Sequence, residues 1–146
     1  MGLSLGERHQ AVLFVAILIV AIAGLYAATQ LLQPATVTTY VVHLVQLDLE
    51  GSGWSIHYTA AATKNNTAFG LLHEASTRLA FPVAYVAYEI PTGVFVTSIN
   101  GSANGEGGRY WQYWVNGAYA NLAADHLALH DHDAVLWKFT ASQEGG

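Results

Sequence analysis

YWQYWVNG, residues 110–117, is the most aromatic stretch of the chain and predicts a β-strand followed by a tight turn. Asn116-Gly117 favours a type I′ turn, because both central residues of that turn need a positive φ. Alternate residues of a strand point to opposite faces, so both aromatic faces cannot pack into one core. We predict that Trp111 packs with Trp137 in the core. The other aromatic face either packs against a loop or the membrane surface, or contacts a ligand or partner through Tyr110, Trp114, Asn116 and Tyr119.

Upstream of this strand, composition predicts a hairpin and then a helix. Residues 36–49 and 54–61 are rich in β-forming side chains and flank the turn at 50–53. In the first strand we expect one face to turn inward near the strand's end, namely Val41, His43, Val45, Leu47 and Leu49. Helical spacing over 67–79, capped by Asn66 or Thr67, predicts a buried face made of Phe69, Leu72, Ala75 (or Ser76) and Leu79.

Further strands are predicted at 83–90, 94–99, 110–115 and 134–139. One helix packed on a twisted sheet is the economical arrangement for this order of elements. We therefore predict an α+β fold in which an N-terminal transmembrane helix precedes a mixed sheet packed on one helix. The predicted parts are a cytoplasmic tail at 1–10, the transmembrane helix at 11–32, a linker at 33–36, the domain at 37–140 and a tail at 141–146.

The N-terminal segment predicts a membrane anchor. Ala11 to Ala28 contains no charged and no strongly polar side chain. As a helix it rises about 27 Å, and about 33 Å if it continues to Leu32, against a hydrocarbon core of ~30 Å. A cleaved signal peptide is the main alternative, but Leu25-Tyr26-Ala27-Ala28 fits a cleavage site poorly. A prepilin-like leader with Gly2 at its cleavage point is interrupted by charged and polar residues at 8–10.

Charge around this segment predicts its orientation. Arg8 precedes the apolar run, whereas residues 33–42 contain no Lys or Arg. The excess of positive charge on cytoplasmic flanks places the N-terminus inside and the domain outside the cell membrane.

Composition excludes several classes of function. The formal net charge of −5 and the five Lys and Arg residues argue against nucleic-acid binding, which needs clustered cations. The chain has no cysteine, which removes disulfides, thiolate metal sites and cysteine nucleophiles. No spacing links Ser98, His73 and Asp125 into a catalytic set, and we predict that the protein is not an enzyme.

Three histidines precede the last predicted strand. His126, His130 and His132 share parity on an extended chain and alternate with carboxylates, a donor set that suits zinc, copper or nickel. A metal ion is therefore one predicted ligand. The alternative is a solvated polar turn, which aspartate favours through local hydrogen bonds.

Four segments together resemble the transcobalamin-like C-terminal domain family. They are 67–75 (TAFGLLHEA), 94–101 (VFVTSING), 110–117 (YWQYWVNG) and 129–137 (LHDHDAVLW), so the likeness spans roughly residues 37–139. The resemblance implies a β-grasp-like domain that covers one face of a corrinoid, with a helical barrel on the other face in the cobalamin carriers. This sequence contains no such barrel, so the closed corrinoid site is not expected from this chain alone. His132 stands where the family has a turn glycine, and it must tolerate that turn.

Three functions follow as expectations. The first is a membrane-anchored extracytoplasmic binding module for a small apolar or corrinoid-like ligand or a protein partner. The second is an accessory or structural subunit of a larger membrane complex, attached to the bilayer through residues 11–32. The third is a metal-handling domain that uses the three histidines.

Overall fold

A computed structural model describes residues 4–32 and 37–142, and its chain divides into two compact units, Met1–Pro34 and Ala35–Gly146. The predicted linker at 33–36 and residues 143–146 of the predicted tail lie outside the described residues. We describe each unit by itself.

The first unit is a single helix, α1, over Leu5–Leu32. Its start is capped reciprocally: the Ser4 N–H donates to Glu7 Oε2 at 2.7 Å, and the Glu7 N–H donates to Ser4 Oγ at 3.3 Å. Because of this cap, the helix begins six residues before the predicted span at 11–32. Leu5–Leu31 has a peak mean hydropathy of 2.7 and is long and apolar enough to cross a membrane.

The second unit is an α+β domain, as predicted. Its elements are β1 Val42–Glu50, β2 Ser55–Thr63, α2 Ala68–Leu79, β3 Val83–Glu89, β4 Thr92–Ile99, β5 Ser102–Ala103, a 3₁₀ turn Glu106–Gly108, β6 Arg109–Val115, β7 Ala118–Tyr119 and β8 Ala134–Ala141. The main sheet has the order β2-β1-β8-β6-β7 and is mixed, because β1 and β8 run parallel while the other neighbours are antiparallel.

A second, antiparallel sheet of three strands has the order β3-β4-β5. The sequence did not predict this separation, since composition identifies strands but not their partners. The β3–β4 hairpin turns through a cis Ile90–Pro91 peptide bond. Its first strand, β3, is an edge strand that leaves most of its side chains exposed.

The core lies between α2 and the main sheet, with the aromatic face of β6 buried as predicted. Trp111 and Trp137 are 5% and 3% exposed. Near the end of β1, Val45, Leu47 and Leu49 are fully buried as predicted, whereas Val41 and His43, near its start, are exposed. Leu44 has a left-handed φ of 54°, and at this residue the alternation of inward and outward side chains shifts by one position. Before Leu44 the buried side chain is therefore Val42, and not Val41 or His43.

Helix α2 begins as predicted, with the Thr67 hydroxyl accepting from the Gly70 N–H at 2.9 Å. Its buried face contains Leu72 and Ala75 as predicted, together with Ala68 and Leu71, whereas Phe69 is only partly buried. Leu79, which was predicted to be buried, is 47% exposed. The chain turns left-handed at Ala80 directly after it, so the last turn of the helix lies at the margin of the core.

Candidate ligand cleft

An apolar cleft of about 430 Å³ lies between the β3–β4 hairpin and the aromatic face of the main sheet. The turn and the start of β4 form one wall, and the segment 119–124 forms the other. Three aromatic residues of the main sheet also line the cleft, Trp111, Tyr113 and Trp137. Its volume lies in the range of small-molecule sites, which are mostly apolar with a few polar groups.

The three sheet aromatics are held in fixed orientations. Tyr113 and Trp137 stack with ring centroids 4.8 Å apart and planes 23° apart. The Trp111 Nε1–H donates to the Ser102 carbonyl at 2.8 Å, and the Tyr113 hydroxyl donates to the Leu122 carbonyl at 2.7 Å. These bonds position the rings before any ligand arrives.

Two of the three sheet aromatics carry buried polar groups. Burial, with smaller contributions from the charge of Asp125 and from Tyr119, raises the pKa of Tyr113 and keeps its hydroxyl neutral. The indole Nε1–H of Trp137 is buried and has no acceptor within residues 4–32 and 37–142.

Hydrogen bonds connect the two walls of the cleft at the start of β4. The Val94 N–H donates to Asp125 Oδ1 at 2.9 Å, and His126 Nε2 lies 2.8 Å from the Thr92 carbonyl oxygen. A Cβ added at Gly93 would lie 2.8 Å from the Ala123 Cβ, so only glycine permits this approach of the two walls. Asp125 and His126 thus shape the cleft although neither lines it.

The rim of the cleft is apolar and open. Its large exposed apolar side chains are Tyr88 at 53%, Ile90 at 92%, Phe95 at 48%, Tyr119 at 51% and Leu122 at 53%. Large exposed apolar side chains that cluster around a concave surface are typical of binding sites.

Of the four predicted contact residues, only Tyr119 lines this cleft. Trp114 packs edge-on against Tyr119, with centroids 5.5 Å apart, and borders a separate depression beside Lys138. Tyr110 is 42% exposed outside the cleft. Asn116 uses its amide to fasten the β6–β7 turn: Nδ2 donates to Asp133 Oδ1 at 2.7 Å, and Oδ1 accepts from the Ala134 N–H at 2.9 Å.

Sequence reasoning missed the β3–β4 hairpin as a wall of the site. A signal was present, because Tyr85-Val86-Ala87-Tyr88 is apolar at consecutive positions where a strand with one solvated face would alternate. The segment 120–124 gave no comparable signal.

The structure does not bring the three predicted metal ligands together. The His126 ring is largely buried beside Thr92, whereas the His130 side chain is 78% exposed and lies 3.7 Å from Asp133. His132 is exposed, with the left-handed φ of 68° that its turn position predicted. Across the described parts of the chain, no group of three or more His, Cys, Asp or Glu side chains is arranged to hold a metal ion.

The fold and the cleft define a class: an α+β domain of transcobalamin-like fold with an apolar cleft, in a chain that also carries a candidate membrane span. Residues 65–141 match the family model described as "Domain of unknown function (DUF4430)", and the chain belongs to that family. No curated protein sequence matches it.

Two solved structures share the fold. A "putative metal binding protein" from Ruminococcus gnavus ATCC 29149 aligns with a TM-score of 0.52 and 14% identity, covering 68% of this chain and 98% of that one. Haptocorrin in complex with Cbi aligns with a TM-score of 0.53 and 13% identity, covering 73% of this chain. This chain spans only 27% of the length of haptocorrin. The resemblance to transcobalamin-like domains is thereby confirmed for the fold.

Proposed function

We propose that this chain is a single-pass membrane protein whose outer domain binds a small, flat, apolar ligand without chemically changing it. The observation that carries this proposal is the aromatic-lined cleft of about 430 Å³. Stacked rings offer flat apolar surface at little entropic cost, because hydrogen bonds and packing have already fixed them.

The tether and its orientation are part of the proposal. Helix α1 is long enough to span a bilayer, and its described side chains are exposed, which suits a lipid-facing helix. Arg8 lies at its N-terminal end, and the first cation after it is Lys64. This asymmetry supports a cytoplasmic N-terminus and an extracytoplasmic domain.

The chemistry of the cleft supports binding rather than catalysis. Among the described residues, its lining contains no carboxylate, imidazole or amine, and its titratable groups are the hydroxyls of Tyr88, Tyr113 and Tyr119. General acid–base chemistry near neutral pH needs groups that titrate there, and the hydroxyl of Tyr113 is kept neutral by burial. The cleft can supply apolar surface.

A corrinoid-like ring is the ligand class we favour. The haptocorrin of the same fold was solved in complex with Cbi, and three aromatic side chains of the main sheet line the cleft. The open, apolar rim allows a ring larger than the cleft to extend beyond it.

Tryptophan fluorescence tests this function. The full chain in detergent micelles is titrated with a water-soluble corrinoid, because Trp111 and Trp137 line the cleft and should be quenched. Tyr119→Ala should weaken binding about tenfold, as loss of an aromatic contact residue commonly does. Tyr110→Ala is the matched control: it is a half-exposed tyrosine of the same sheet outside the cleft, and it should leave the affinity unchanged. Absence of quenching at tens of micromolar, or equal effects of the two variants, would contradict the proposal.

One observation favours a second function, that of a subunit in a larger membrane assembly. The edge strand β3 exposes apolar side chains, with Val86 45% and Tyr88 53% exposed, and an open strand edge is a template for pairing with another chain. Gentle detergent extraction followed by sizing would give a complex larger than the monomer, and Val86→Lys would release it. A clean monomer in mild detergent would argue against this second function.

A further inference from the structure

The main sheet has a face that points away from α2 and the core, which we call the outer face. In β1, β6 and β8 the side chains that alternate with core residues point to this face, and none of them is buried. A depression of about 310 Å³ lies on the outer face. Its lining includes Asp48, Trp114, Gly117, Ala134, Leu136 and Lys138. None of these residues lines the apolar cleft.

Three of these side chains form one row across the sheet. Leu136 of β8 pairs with Asp48 of β1 on one side and with Trp114 of β6 on the other. Adjacent strands are about 4.8 Å apart, so the backbones of Asp48 and Trp114 lie about 10 Å from each other on either side of the apolar Leu136. A single six-membered ring fits between two side chains at this spacing, and it would rest on Leu136.

Trp114 provides the aromatic side of the depression. It packs edge-on against Tyr119 of β7, with ring centroids 5.5 Å apart and ring planes 69° apart. Because β6 lies between β8 and β7, this contact is on the side of Trp114 that faces away from Leu136. The contact holds the indole in place beside the depression. Aromatic rings have a negative face, which attracts the weakly positive C–H groups of a ligand.

Asp48 provides a hydrogen-bond acceptor on the opposite side. Its Oδ1 lies 2.6 Å from His57 Nδ1, which carries the hydrogen because a carboxylate only accepts. His57 belongs to β2, so this bond is on the side of Asp48 that faces away from Leu136. The second oxygen, Oδ2, has no hydrogen-bond partner among the described residues, and the side chain is 49% exposed. Oδ2 is therefore an acceptor that a ligand in the depression can use.

Lys138 provides hydrogen-bond donors next to this row. Its Nζ lies 3.0 Å from Glu50 Oε2, its side chain is 48% exposed, and an ammonium group has three donors. Because Lys138 and Asp48 line the same depression, an anion would be repelled by Asp48 and a cation by Lys138. A purely apolar ligand would bury both side chains without new hydrogen bonds, which costs free energy. These features favour a neutral ligand whose hydroxyl groups both donate and accept.

We infer that the depression on the outer face binds one ring of a neutral saccharide. A pyranose ring has C–H faces that pack on Trp114 and Leu136, and hydroxyl groups around its edge. One hydroxyl donates to Asp48 Oδ2, and another accepts from Lys138 Nζ. This site is independent of the apolar cleft in its lining residues and in its ligand chemistry, and it does not rest on the proposed corrinoid binding.

A nuclear magnetic resonance titration of the ¹⁵N-labelled full chain tests the inference, in micelles of a detergent that has no sugar headgroup. The probes are methyl β-D-glucopyranoside and methyl β-D-galactopyranoside. Two further probes each lack one part of the sugar's chemistry: sorbitol has the hydroxyl groups without the ring, and cyclohexanol has a ring with a single hydroxyl group.

Two variants each remove one side of the depression. Trp114→Ala removes the aromatic side, and Asp48→Asn keeps an oxygen acceptor for His57 but removes the charge of the polar side. The matched control is Asp131→Asn, because Asp131 is a half-exposed aspartate that also contacts a histidine and lies outside the depression.

At least one glycoside should give saturable shifts centred on Leu136, Lys138 and the indole N–H of Trp114, with a dissociation constant of about a millimolar. Sorbitol and cyclohexanol should each bind at least about tenfold more weakly. Trp114→Ala should weaken glycoside binding about tenfold, and Asp48→Asn about fivefold, since a neutral acceptor replaces a charged one. Asp131→Asn should match the unmodified chain.

The inference is overturned if neither glycoside gives saturable shifts at tens of millimolar, or if sorbitol or cyclohexanol binds as tightly as the better glycoside. Equal effects of Asp48→Asn and Asp131→Asn would overturn it as well. Because the Asp48 side chain is half-exposed, this last comparison remains informative even if Trp114→Ala unfolds the domain.

Discussion

Glu74 of α2 contacts four side chains, and two of them, Tyr58 and Thr63, belong to β2. Its carboxylate accepts from the Tyr58 hydroxyl at 2.6 Å, from Asn65 Nδ2 at 2.6 Å and from the Thr63 hydroxyl, and Arg78 Nε lies 3.6 Å away. Burial alone would raise the pKa of Glu74, but the hydrogen bonds from Thr63, Tyr58 and Asn65 and the charge of Arg78 outweigh it and hold the pKa below its ordinary value.

We expect Glu74→Gln to destabilise the domain by about 1–3 kcal/mol at neutral pH, since three donors lose a charged acceptor. A carboxyl whose pKa is lowered by folding stabilises the fold above its unfolded pKa, near 4.5, and loses that contribution as the pH falls through the folded value. The difference between the two proteins should therefore shrink below pH 4.5. Denaturant unfolding followed by near-ultraviolet circular dichroism measures it, with the exposed Glu106→Gln as control. A difference that is constant with pH would refute this account of Glu74.

His132 occupies a left-handed turn position with a φ of 68°. A residue with a side chain costs roughly 1–2 kcal/mol in that conformation. Glycine removes this cost, but its larger conformational entropy in the unfolded chain offsets part of the gain. His132→Gly should therefore raise the free energy of unfolding by about 0.5–1 kcal/mol, and the backbone bond from its N–H to the His43 carbonyl is kept. Thermal unfolding measures the change. A lower melting temperature would show that the imidazole stabilises the turn.

At the scale of elements, helix α2 depends on its cap. Thr67→Ala removes the acceptor for the Gly70 N–H and should cost about 1 kcal/mol. Thr77→Ala is a matched control, because that hydroxyl donates back to the His73 carbonyl within the helix and caps nothing. Equal losses of unfolding free energy in the two variants would contradict the capping role.

The order of elements in the domain was predictable because turn and cap residues mark their ends. Asn116-Gly117 takes positive φ at both positions, and Thr67 caps α2. The division into two sheets was not predictable, since strand pairing depends on contacts between distant segments. The shift in the alternation of buried side chains at Leu44 was not predictable either, because leucine gives no sequence signal for a left-handed φ.

The same limit applies to the cleft. Burial of Trp111 and exposure of Tyr119 followed from alternation along neighbouring strands. The other wall comes from Gly93 and Val94, which meet residues 123–126 only in the folded domain. The buried, unpartnered Nδ1 of His126 likewise arises from the fold and not from a local pattern.

At the scale of the whole molecule, the tether can be tested on the full chain. We expect the protein to stay with membranes through carbonate extraction, because Leu5–Leu31 of α1 is long and apolar enough to cross the bilayer. In sealed cells an added protease should reach the C-terminal domain and not an epitope placed before Arg8. Mature material that begins after Ala28 and is released into solution would show that the segment is a cleaved signal peptide.

Chemical-shift mapping tests the central claim, ligand binding in the apolar cleft, most directly. The full chain is labelled with ¹⁵N in detergent micelles and titrated with a water-soluble corrinoid. The account predicts saturable shifts confined to the cleft, at the amides of Gly93, Val94, Tyr119 and Leu122 and at the indole N–H of Trp137. Shifts that are absent, or that centre on Tyr110 and the far side of the main sheet, would contradict it.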